Sequence, residues 1–447
     1  MEEAEYNDEG LKKLLAKWPG RVGAVLVAVT LLFAGAGAVR WRPGRRPEPP
    51  RLTKEAHGAG PLRAGAAEVP LILPKHAPVA GFPRLSWPDH GIRDPVAVRA
   101  LVLSEPGCSI ALVSAEIMLV PGKLGHAVER AVKDLGLDLV LVGATHTHSG
   151  PGGYWDEPFG ERLATGPYDP ELFEAYVGAM AAAVRVAVKT QVPAYLSVAR
   201  DRWPTYARNR AGSHEPVDGH LVDLRIRDQA GGDLSEVIVF PAHAAILDLQ
   251  NRKLSGDWPG FLMRAGHGVR LYFQGALGDQ SPHLPGDAPI PTPDVYARAL
   301  DHHLGSLELS PGDPWPPLSM ASADALLPEV ELGATPPFLR RMATNLLYHL
   351  MPARGRVSAL RVGPVVLLAV PGEPVAEIGS RWRKAIGPDA EVVSLMGDYL
   401  GYIETSEHIA EELGETPRTY YGPELADRLE AALQAAAEAA RRETEEK

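Results

Sequence analysis

The sequence has too little of several features to fit some common classes of protein. Only one cysteine, Cys108, occurs among 447 residues, so no internal disulfide can form, although exported proteins also fold without one. Lys and Arg total 45 against 56 Asp and Glu, and the formal net charge is −11. No basic stripe interleaved with aromatic residues is visible, which argues against a nucleic-acid partner. Nothing in the sequence indicates an internal repeat or an obligate protein partner.

The body of the chain, residues 68–447, alternates strand and helix patterns. Residues 110–118 and 139–142 are strand-like and residues 123–135 between them are helical, as in a βαβ unit. Asp169 followed by Pro170 is typical of the start of a helix, which we expect to continue to about residue 189. Residues 221–227 alternate as an antiparallel strand would. The sequence therefore predicts one large α/β domain with mixed β-sheets flanked by helices.

A glycine-rich stretch, residues 143–154, follows the apolar run 139–142 and contains His146 and His148. Two imidazoles two residues apart on an extended segment project to one side, so both can border one cavity. A rigid loop of this kind at the end of a buried strand is a common way to build a metal site. The competing interpretation is a solvated loop with two ordinary histidines.

Further apolar runs also end in reactive residues. The run 237–240 leads into His243, 269–273 into a loop with Ser281, 365–370 into Glu373, and 392–395 into a loop with Tyr402. In α/β sheets, ligands bind in the crevice beyond the carboxyl ends of the strands, so these side chains can converge there. Two nitrogens from His146 and His243 and two oxygens from Glu373 and Tyr402 form a set that suits Zn²⁺.

Each of these residues also has an ordinary structural interpretation. His243 is consistent with a hydrogen-bonded histidine at a strand end. Glu373 is consistent with a carboxylate stabilised by the dipole of the helix that follows. Tyr402 is consistent with core packing beside Tyr399. Arg210, in the run Arg208-Asn209-Arg210, is consistent with a plain surface charge.

The order of these motifs resembles that of the neutral ceramidases, which are zinc-dependent amidases that split ceramide into sphingosine and a fatty acid. The similarity extends over about residues 69–423 and rests on three main motifs: His146-Thr147-His148-Ser149-Gly150-Pro151, Gly278-Asp279-Gln280-Ser281-Pro282 and Pro371-Gly372-Glu373. The resemblance implies that His146, His243, Glu373 and Tyr402 bind zinc and that Ser281 is catalytic. It also implies that His148 and Arg210 are polar neighbours of that serine.

Two departures from the family pattern stand out. The tyrosine that stabilises the oxyanion in the family falls where this chain has Gly414, and a phenol donor of this kind contributes about 3–4 kcal/mol to catalysis. Tyr420 and Tyr154 are the nearest alternative phenols by motif. The family's immunoglobulin-like C-terminal domain has no counterpart, so the resemblance implies a shortened member.

The residue types suggest a hydrolysis in which zinc polarises a carbonyl and lowers the pKa of water. His148 is the best-placed acid for the leaving amine, whereas Ser281 is either a nucleophile or a residue that orients substrate or water. The expected substrate is ceramide or a related N-acyl lipid. A zinc hydrolase of the same fold with a non-lipid amide or ester substrate, and a catalytically silent lipid-binding relative, are the alternatives.

The N-terminal region predicts a membrane anchor. Residues 22–39 carry no charge, and Trp18 and Trp41 flank them. After a tail of residues 1–21, residues 22–41 are therefore expected to form a transmembrane helix, with a cleaved signal peptide as the alternative. Basic residues after the run favour a cytoplasmic body, but the resembled family is mostly exported, so we expect a single-pass protein with an extracytoplasmic catalytic domain. Residues 42–67, rich in Pro, Arg, Gly and Ala, predict a semi-extended linker.

Overall fold

The computed structural model describes residues 45–83, 91–157, 160–286, 290, 292–333 and 351–442. The strands are β1 (Arg51–His57), β2 (Arg63–Pro70), β3 (Ala97–Glu105), β4 (Cys108–Ala115), β5 (Leu139–Ala144), β6 (Val192–Arg202), β7 (Ala207–Asn209), β8 (His220–Asp228), β9 (Asp233–Phe240), β10 (Val269–Gln274), β11 (Gln280–Pro282), β12 (Leu318–Leu326), β13 (Arg354–Val362), β14 (Val365–Ala369), β15 (Glu373–Pro374), β16 (Ala390–Val393) and β17 (Tyr402–Ile403). The α-helices are α1 (Gly122–Ala131), α2 (Pro170–Lys189), α3 (Asp257–Ala265), α4 (Pro293–Leu304), α5 (Ala376–Ile386), α6 (Ser406–Glu411) and α7 (Leu425–Arg441).

Two large sheets dominate the described residues. One has eight strands in the order β10-β9-β8-β6-β2-β3-β4-β5, and the other has five in the order β1-β12-β13-β14-β16. β4 and β5, β9 and β10, and β14 and β16 are parallel pairs, whereas the remaining neighbours in these sheets are antiparallel. The predicted mixed α/β fold is therefore confirmed.

The eight-stranded sheet bends so that its two edges meet. At one side, its halves are joined by the pairing of Arg63 and Ala64 of β2 with β6. At the far side, the hydroxyl of Ser114 on β4 donates to the carbonyl of Tyr272 on β10 at 2.7 Å. A Cβ at Gly143 on β5 would lie 2.7 Å from the Phe273 ring, so glycine permits this approach. The carboxyl ends of β5 and β9 are thereby brought to one place.

Buried side chains fill the space between these layers. One cluster includes Leu101, Leu224 and Leu360 and lies between the two halves of the large sheet and the five-stranded sheet. Helices α1 and α2 cover the β2–β5 half, as shown by the cluster that contains Leu124 and Tyr176. Helices α5 and α7 cover the five-stranded sheet, and α3 and α4 cover β9 and β10.

The predicted linker is wrong for residues 51–67. Strand β1 pairs with β12, and β2 lies in the large sheet between β3 and β6. The small residues of β2 are explained by the approach of helix α2, because a Cβ at Gly65 would lie 2.1 Å from the carbonyl oxygen of Ala187. Strand β1 has few buried side chains, so its sequence lacks the hydrophobic alternation that would have revealed it.

The predicted local elements agree with the structure except at their ends. Helix α2 begins after Asp169, whose carboxylate accepts from the amide of Glu171 at 2.8 Å. The helix expected over residues 123–135 ends at Ala131 and is followed by a short 3-10 turn, Lys133–Leu135. Strand β4 ends at Ala115, and residues 116–118 form the loop that later contacts His146.

The predicted membrane anchor at residues 22–41 lies outside the described residues. Among the residues that are described, no helix combines the length and the apolar character needed to cross a bilayer.

A buried ion pair joins strand β3 to the loop after β4, beside helix α3. Arg99 Nη1 donates to Glu116 Oε1 at 2.5 Å, and both side chains are almost fully buried. Glu116 Oε2 lies where a Cβ at Gly256 or Gly260 would collide with it, so these glycines allow α3 to approach. Arg99 has one other carboxylate partner, Glu68, which is 45% exposed. The pair therefore ties the loop after β4 to β3 where α3 packs, and Arg99 Nη1 also lies 3.6 Å from Met263 Sδ of α3.

Replacing Glu116 by alanine is expected to lower the free energy of unfolding by about 3–5 kcal/mol, because Arg99 would remain buried without its inner partner. Chemical denaturation of wild type and variant measures this loss. Lys123→Ala, which breaks an ion pair with Asp156 whose side chains are 63% and 50% exposed, is the control and should cost less than about 1 kcal/mol. Equal losses for the two variants would contradict the assigned role of Glu116.

Candidate metal centre

His146 lies two residues beyond β5 in a left-handed backbone conformation, with φ of 66°. Its amide donates to the carbonyl of Ile117 at 3.1 Å, and its Nδ1 is 2.7 Å from the carbonyl oxygen of Met118. Because a carbonyl can only accept, Nδ1 carries the proton and Nε2 presents a lone pair. The loop after β4 therefore fixes both the orientation and the tautomer of His146.

His243 follows β9 and is held in the same way. Its Nδ1 donates to the carbonyl of Gln280 at 2.9 Å, which leaves Nε2 with a lone pair. Trp258 Nε1, from the start of α3, donates to the His243 carbonyl at 3.2 Å. The His148 amide donates to the carbonyl of Ala244 at 2.9 Å and joins the two histidine loops.

Glu373 and Tyr402 come from the neighbouring short strands β15 and β17, where they are paired in register. Glu373 Oε1 accepts from the hydroxyl of Tyr399 at 2.8 Å. Its Oε2 lies 3.3 Å from Nε2 of His146 and 3.3 Å from Nε2 of His243. The Tyr402 hydroxyl oxygen is 3.1 Å from His243 Nε2. The four predicted ligand residues therefore meet at one point.

The donor atoms fit a cation. Ligands about 2.0–2.1 Å from a tetrahedral ion are about 3.3 Å from one another, close to the separations found here. Glu373 Oε2 is buried and has no hydrogen-bond partner, because both imidazole Nε2 atoms that face it carry lone pairs. Three lone pairs that face one another repel unless a positive charge lies between them. A metal ion bound between these atoms would offset the repulsion among their lone pairs.

The protonation states agree with this interpretation. Burial and the nearby charge of Arg210 lower the pKa of His243 to about 3, so this imidazole is neutral near pH 7. Burial raises the pKa of Glu373, whereas a proton held between its carboxylate and His146 or His243 in the absence of metal would keep that pKa well below the usual range. A neutral imidazole and an ionised carboxylate are the forms that bind metal.

His148 lies beside the four ligand residues, with its Nε2 3.1 Å from that of His146. The imidazoles of His146, His148 and His243 place their ligand atoms within 4.8 Å of one another, so His148 is a possible further ligand. Its Nδ1 is buried, however, and has no partner among the described residues, in contrast to the other two histidines. Burial and the two neighbouring imidazoles hold its pKa well below 6.5. A histidine without a fixed tautomer is better suited to carry protons than to hold a metal.

Arg210 contacts other residues of the site through its side chain. For Ser281, the structure gives the position of its strand but no side-chain contact among the described residues. Arg210 Nη2 donates to the Tyr402 hydroxyl oxygen at 3.0 Å and to the carbonyl of Gly278 at 2.8 Å, so its interpretation as a plain surface charge is wrong. Ser281 lies on β11, directly after the residue whose carbonyl accepts from His243. In the described part of the chain, no group hydrogen-bonds to the Ser281 hydroxyl, which leaves it free for a substrate or water.

A tyrosine at position 414 would be strained in this backbone and would displace the side chain of Glu404 or His408. Gly414 has φ of 57°, and a Cβ there would lie 2.5 Å from Glu404 Oε2 and 2.8 Å from His408 Nδ1. Tyr154 is no substitute, because its side chain is 1% exposed and its hydroxyl accepts from the amide of Leu119. Tyr420 packs against Gly401 and Tyr399 near the site.

The chain is similar to a known family of hydrolases. The family described as neutral/alkaline non-lysosomal ceramidase, N-terminal, matches residues 75–264. The neutral ceramidase of Mycobacterium tuberculosis is 25% identical over 448 residues, which cover 74% of this chain and 69% of that protein. This chain is similar to the neutral ceramidases. A Drosophila melanogaster neutral ceramidase is 26% identical, but the match covers 46% of this chain and only 34% of the fly protein.

The fold agrees with solved structures of neutral ceramidases. The neutral ceramidase of Pseudomonas aeruginosa superimposes with a TM-score of 0.74 at 19% identity, covering 86% of this chain and 76% of the other. A ceramidase complexed with C2 gives a TM-score of 0.71 at 19% identity, covering 85% and 75%.

The family match covers only part of the site. His146, His148, Arg210 and His243 fall within residues 75–264, whereas Glu373 and Tyr402 lie outside it. Two contributors were not predicted from the sequence. Tyr399 was considered only as a neighbour in the core, although it hydrogen-bonds Glu373. Glu415, which follows Gly414 in the sequence, contacts Arg210. The sequence gives no sign of either role, because each residue contacts a site residue that is distant along the chain.

His146→Ala and Glu373→Ala should each weaken metal binding more than 100-fold, because each removes one of the converging donor groups. His148→Ala should keep the metal affinity within about tenfold of wild type but lower turnover at least 100-fold, as expected for a proton carrier.

Ser281→Ala should also keep the metal and lose turnover. Metal content after dialysis and competition with a chelator measure these effects. Metal loss from the His148 or Ser281 variant would show that its role is misassigned.

The metal-free protein should lose stability as the pH falls from 7 to 5. The pKa of His243 is about 3 in the folded state against 6.5 in a model peptide. Between these values the unfolded chain binds the additional proton, so the free energy of unfolding falls with pH, by about 2 kcal/mol for this one residue. Denaturation of the apoprotein at several pH values tests this, with exposed His267→Gln as the control. His243→Gln should flatten the slope, and an unchanged slope would contradict the assignment.

Proposed function

We propose that the protein is a zinc-dependent hydrolase that cleaves the amide bond of ceramide or a related N-acyl lipid to a free fatty acid and a sphingoid base. The observation that carries this proposal is the unpaired Glu373 Oε2, which faces two imidazole lone pairs beside the Tyr402 phenol. The neutral ceramidase relatives support the choice of substrate. Two imidazoles, a carboxylate and a phenol suit zinc better than the oxygen-preferring cations.

Zinc bound between these donors would supply Lewis acidity and would lower the pKa of a nearby water toward neutrality. The protein residues have the remaining tasks. Arg210 holds the Tyr402 oxygen and presents a positive charge where the carbonyl oxygen becomes negative. His148 would take the proton released by the attacking water or hydroxyl and pass it to the nitrogen of the leaving amine, which departs poorly as an anion. Ser281, with a hydroxyl that no described residue engages, contacts the substrate or the attacking water.

A second candidate keeps the chemistry but changes the substrate. Because Gly414 supplies no phenol where the family pattern expects one, the acyl group or amine that this site accepts can differ from that of ceramide. A zinc hydrolase acting on a non-lipid amide or ester is therefore the alternative. A silent lipid-binding relative is disfavoured, because all four ligand residues are present and close together.

Location at a membrane remains a proposal from sequence alone. An anchor at residues 22–41, with the catalytic domain on the outer side, would place the site near lipid substrates.

Purified protein should contain about one zinc ion per chain and should release fatty acid from a fluorescent N-acyl-sphingosine. Activity should disappear with a chelator and return with added zinc, because the site loses its cation and regains it. Glu373→Gln, which keeps the shape of the side chain and removes its charge, serves as the metal-poor control. Bound zinc with cleavage of simple amides but no cleavage of ceramide would favour the second candidate. Absence of zinc would refute both.

A further inference from the structure

Glu415 is a buried carboxylate held between two arginines beside the metal centre. Its Oε1 accepts from Arg210 Nε at 2.7 Å, and its Oε2 accepts from Arg418 Nη1. The Glu415 side chain is 4% exposed, whereas those of Arg210 and Arg418 are 27% and 57% exposed. The guanidinium carbons lie 5.7 Å and 5.9 Å from the ring centre of Tyr402. One carboxylate therefore holds two positive charges against a predicted metal ligand.

The contacts of Arg210 fix its guanidinium group in one orientation. Nε is bound to Glu415, while Nη2 is shared between the Gly278 carbonyl and the Tyr402 hydroxyl. A planar guanidinium with bonds on both sides cannot turn without breaking one of them. Without Glu415, the carbonyl of Gly278 and the Tyr402 oxygen would hold only one nitrogen, about which the group could swing.

The backbone around Glu415 is itself fixed. The Glu415 amide donates to Glu404 Oε2 at 2.8 Å, and Glu404 Oε1 accepts from the amide of Thr405 at 2.8 Å. Gly414, with φ of 57°, allows the chain to turn onto Glu404, where any Cβ would collide with that carboxylate. The tight turn at Gly414 therefore brings the Glu415 amide to Glu404 and sets the position of Glu415.

We propose that Glu415 is a positioning residue for the hydrolytic reaction, acting through Arg210. It holds the guanidinium against the Tyr402 oxygen and beside the point where negative charge develops on the substrate. Preorganised charge of this kind needs no rearrangement during the reaction, so its loss should lower kcat more than it raises KM. The inference rests on the proposed amide hydrolysis.

A double-mutant cycle tests it. Glu415→Gln should lower kcat/KM by about 10–100-fold with unchanged zinc content, as expected for loss of a supporting hydrogen bond. If Glu415 acts through Arg210, the double variant Glu415→Gln/Arg210→Gln should be no slower than Arg210→Gln alone. Additive losses, or full activity of Glu415→Gln, would overturn the proposal.

Glu391→Gln is a matched control, because Glu391 is also 4% exposed and pairs with an arginine, Arg200, that is 34% exposed. It should lower stability as Glu415→Gln does but leave kcat/KM within about twofold, which separates positioning from a purely structural role.

A readout without substrate distinguishes failure of this inference from failure of the proposed function. In cobalt-substituted protein, Glu415→Gln and Arg210→Gln should shift the visible absorption spectrum in the same direction, since both release the oxygen of Tyr402. If wild type binds cobalt but cleaves no N-acyl substrate, the proposed function fails. The spectrum tests the inference separately, and an unaltered spectrum in both variants would overturn it. A protein that takes up no metal would overturn both.

Discussion

Three lone pairs face one another inside the candidate metal centre, and the rest of the site depends on a positive charge that offsets their repulsion. Glu373 Oε2 lies between Nε2 of His146 and Nε2 of His243, and no described group donates a hydrogen bond to it. A buried carboxylate oxygen without a hydrogen-bond donor is costly, and a cation in the same space would remove that cost. The affinity for a metal and the stability of this part of the fold are therefore linked.

Backbone carbonyls, rather than side chains, set this geometry. The carbonyls of Met118 and Gln280 accept the Nδ1 protons and turn each Nε2 inward. His146 also adopts a left-handed conformation, which costs about 1–3 kcal/mol in a residue other than glycine and is maintained by the loop after β4. The bend of the large sheet brings this loop to the end of β9, and the pairing of β15 with β17 adds the two oxygen ligands from the other side.

Prediction from sequence succeeded where a function depends on residue type at the end of an apolar run. The loops with His146, His243, Glu373 and Tyr402 each follow a buried strand, and the structure brings these side chains together as expected. Prediction failed where the same composition is compatible with both a linker and a buried strand. The Gly and Ala residues near position 65 resemble a linker, but they lie in a strand and are small because a helix passes directly over them.

By itself, the sequence determined which side chains have metal-binding chemistry, that they follow strands of an α/β fold, and that the motif order is that of the neutral ceramidases. Only the tertiary structure decided which nitrogen of each imidazole faces inward, that Tyr399 supports Glu373, and that Glu415 occupies the space beside Gly414 and holds Arg210. The physical reason is that residue type and local spacing are properties of short segments. Tautomer, burial and hydrogen-bond partners depend instead on groups that folding brings together from distant parts of the chain.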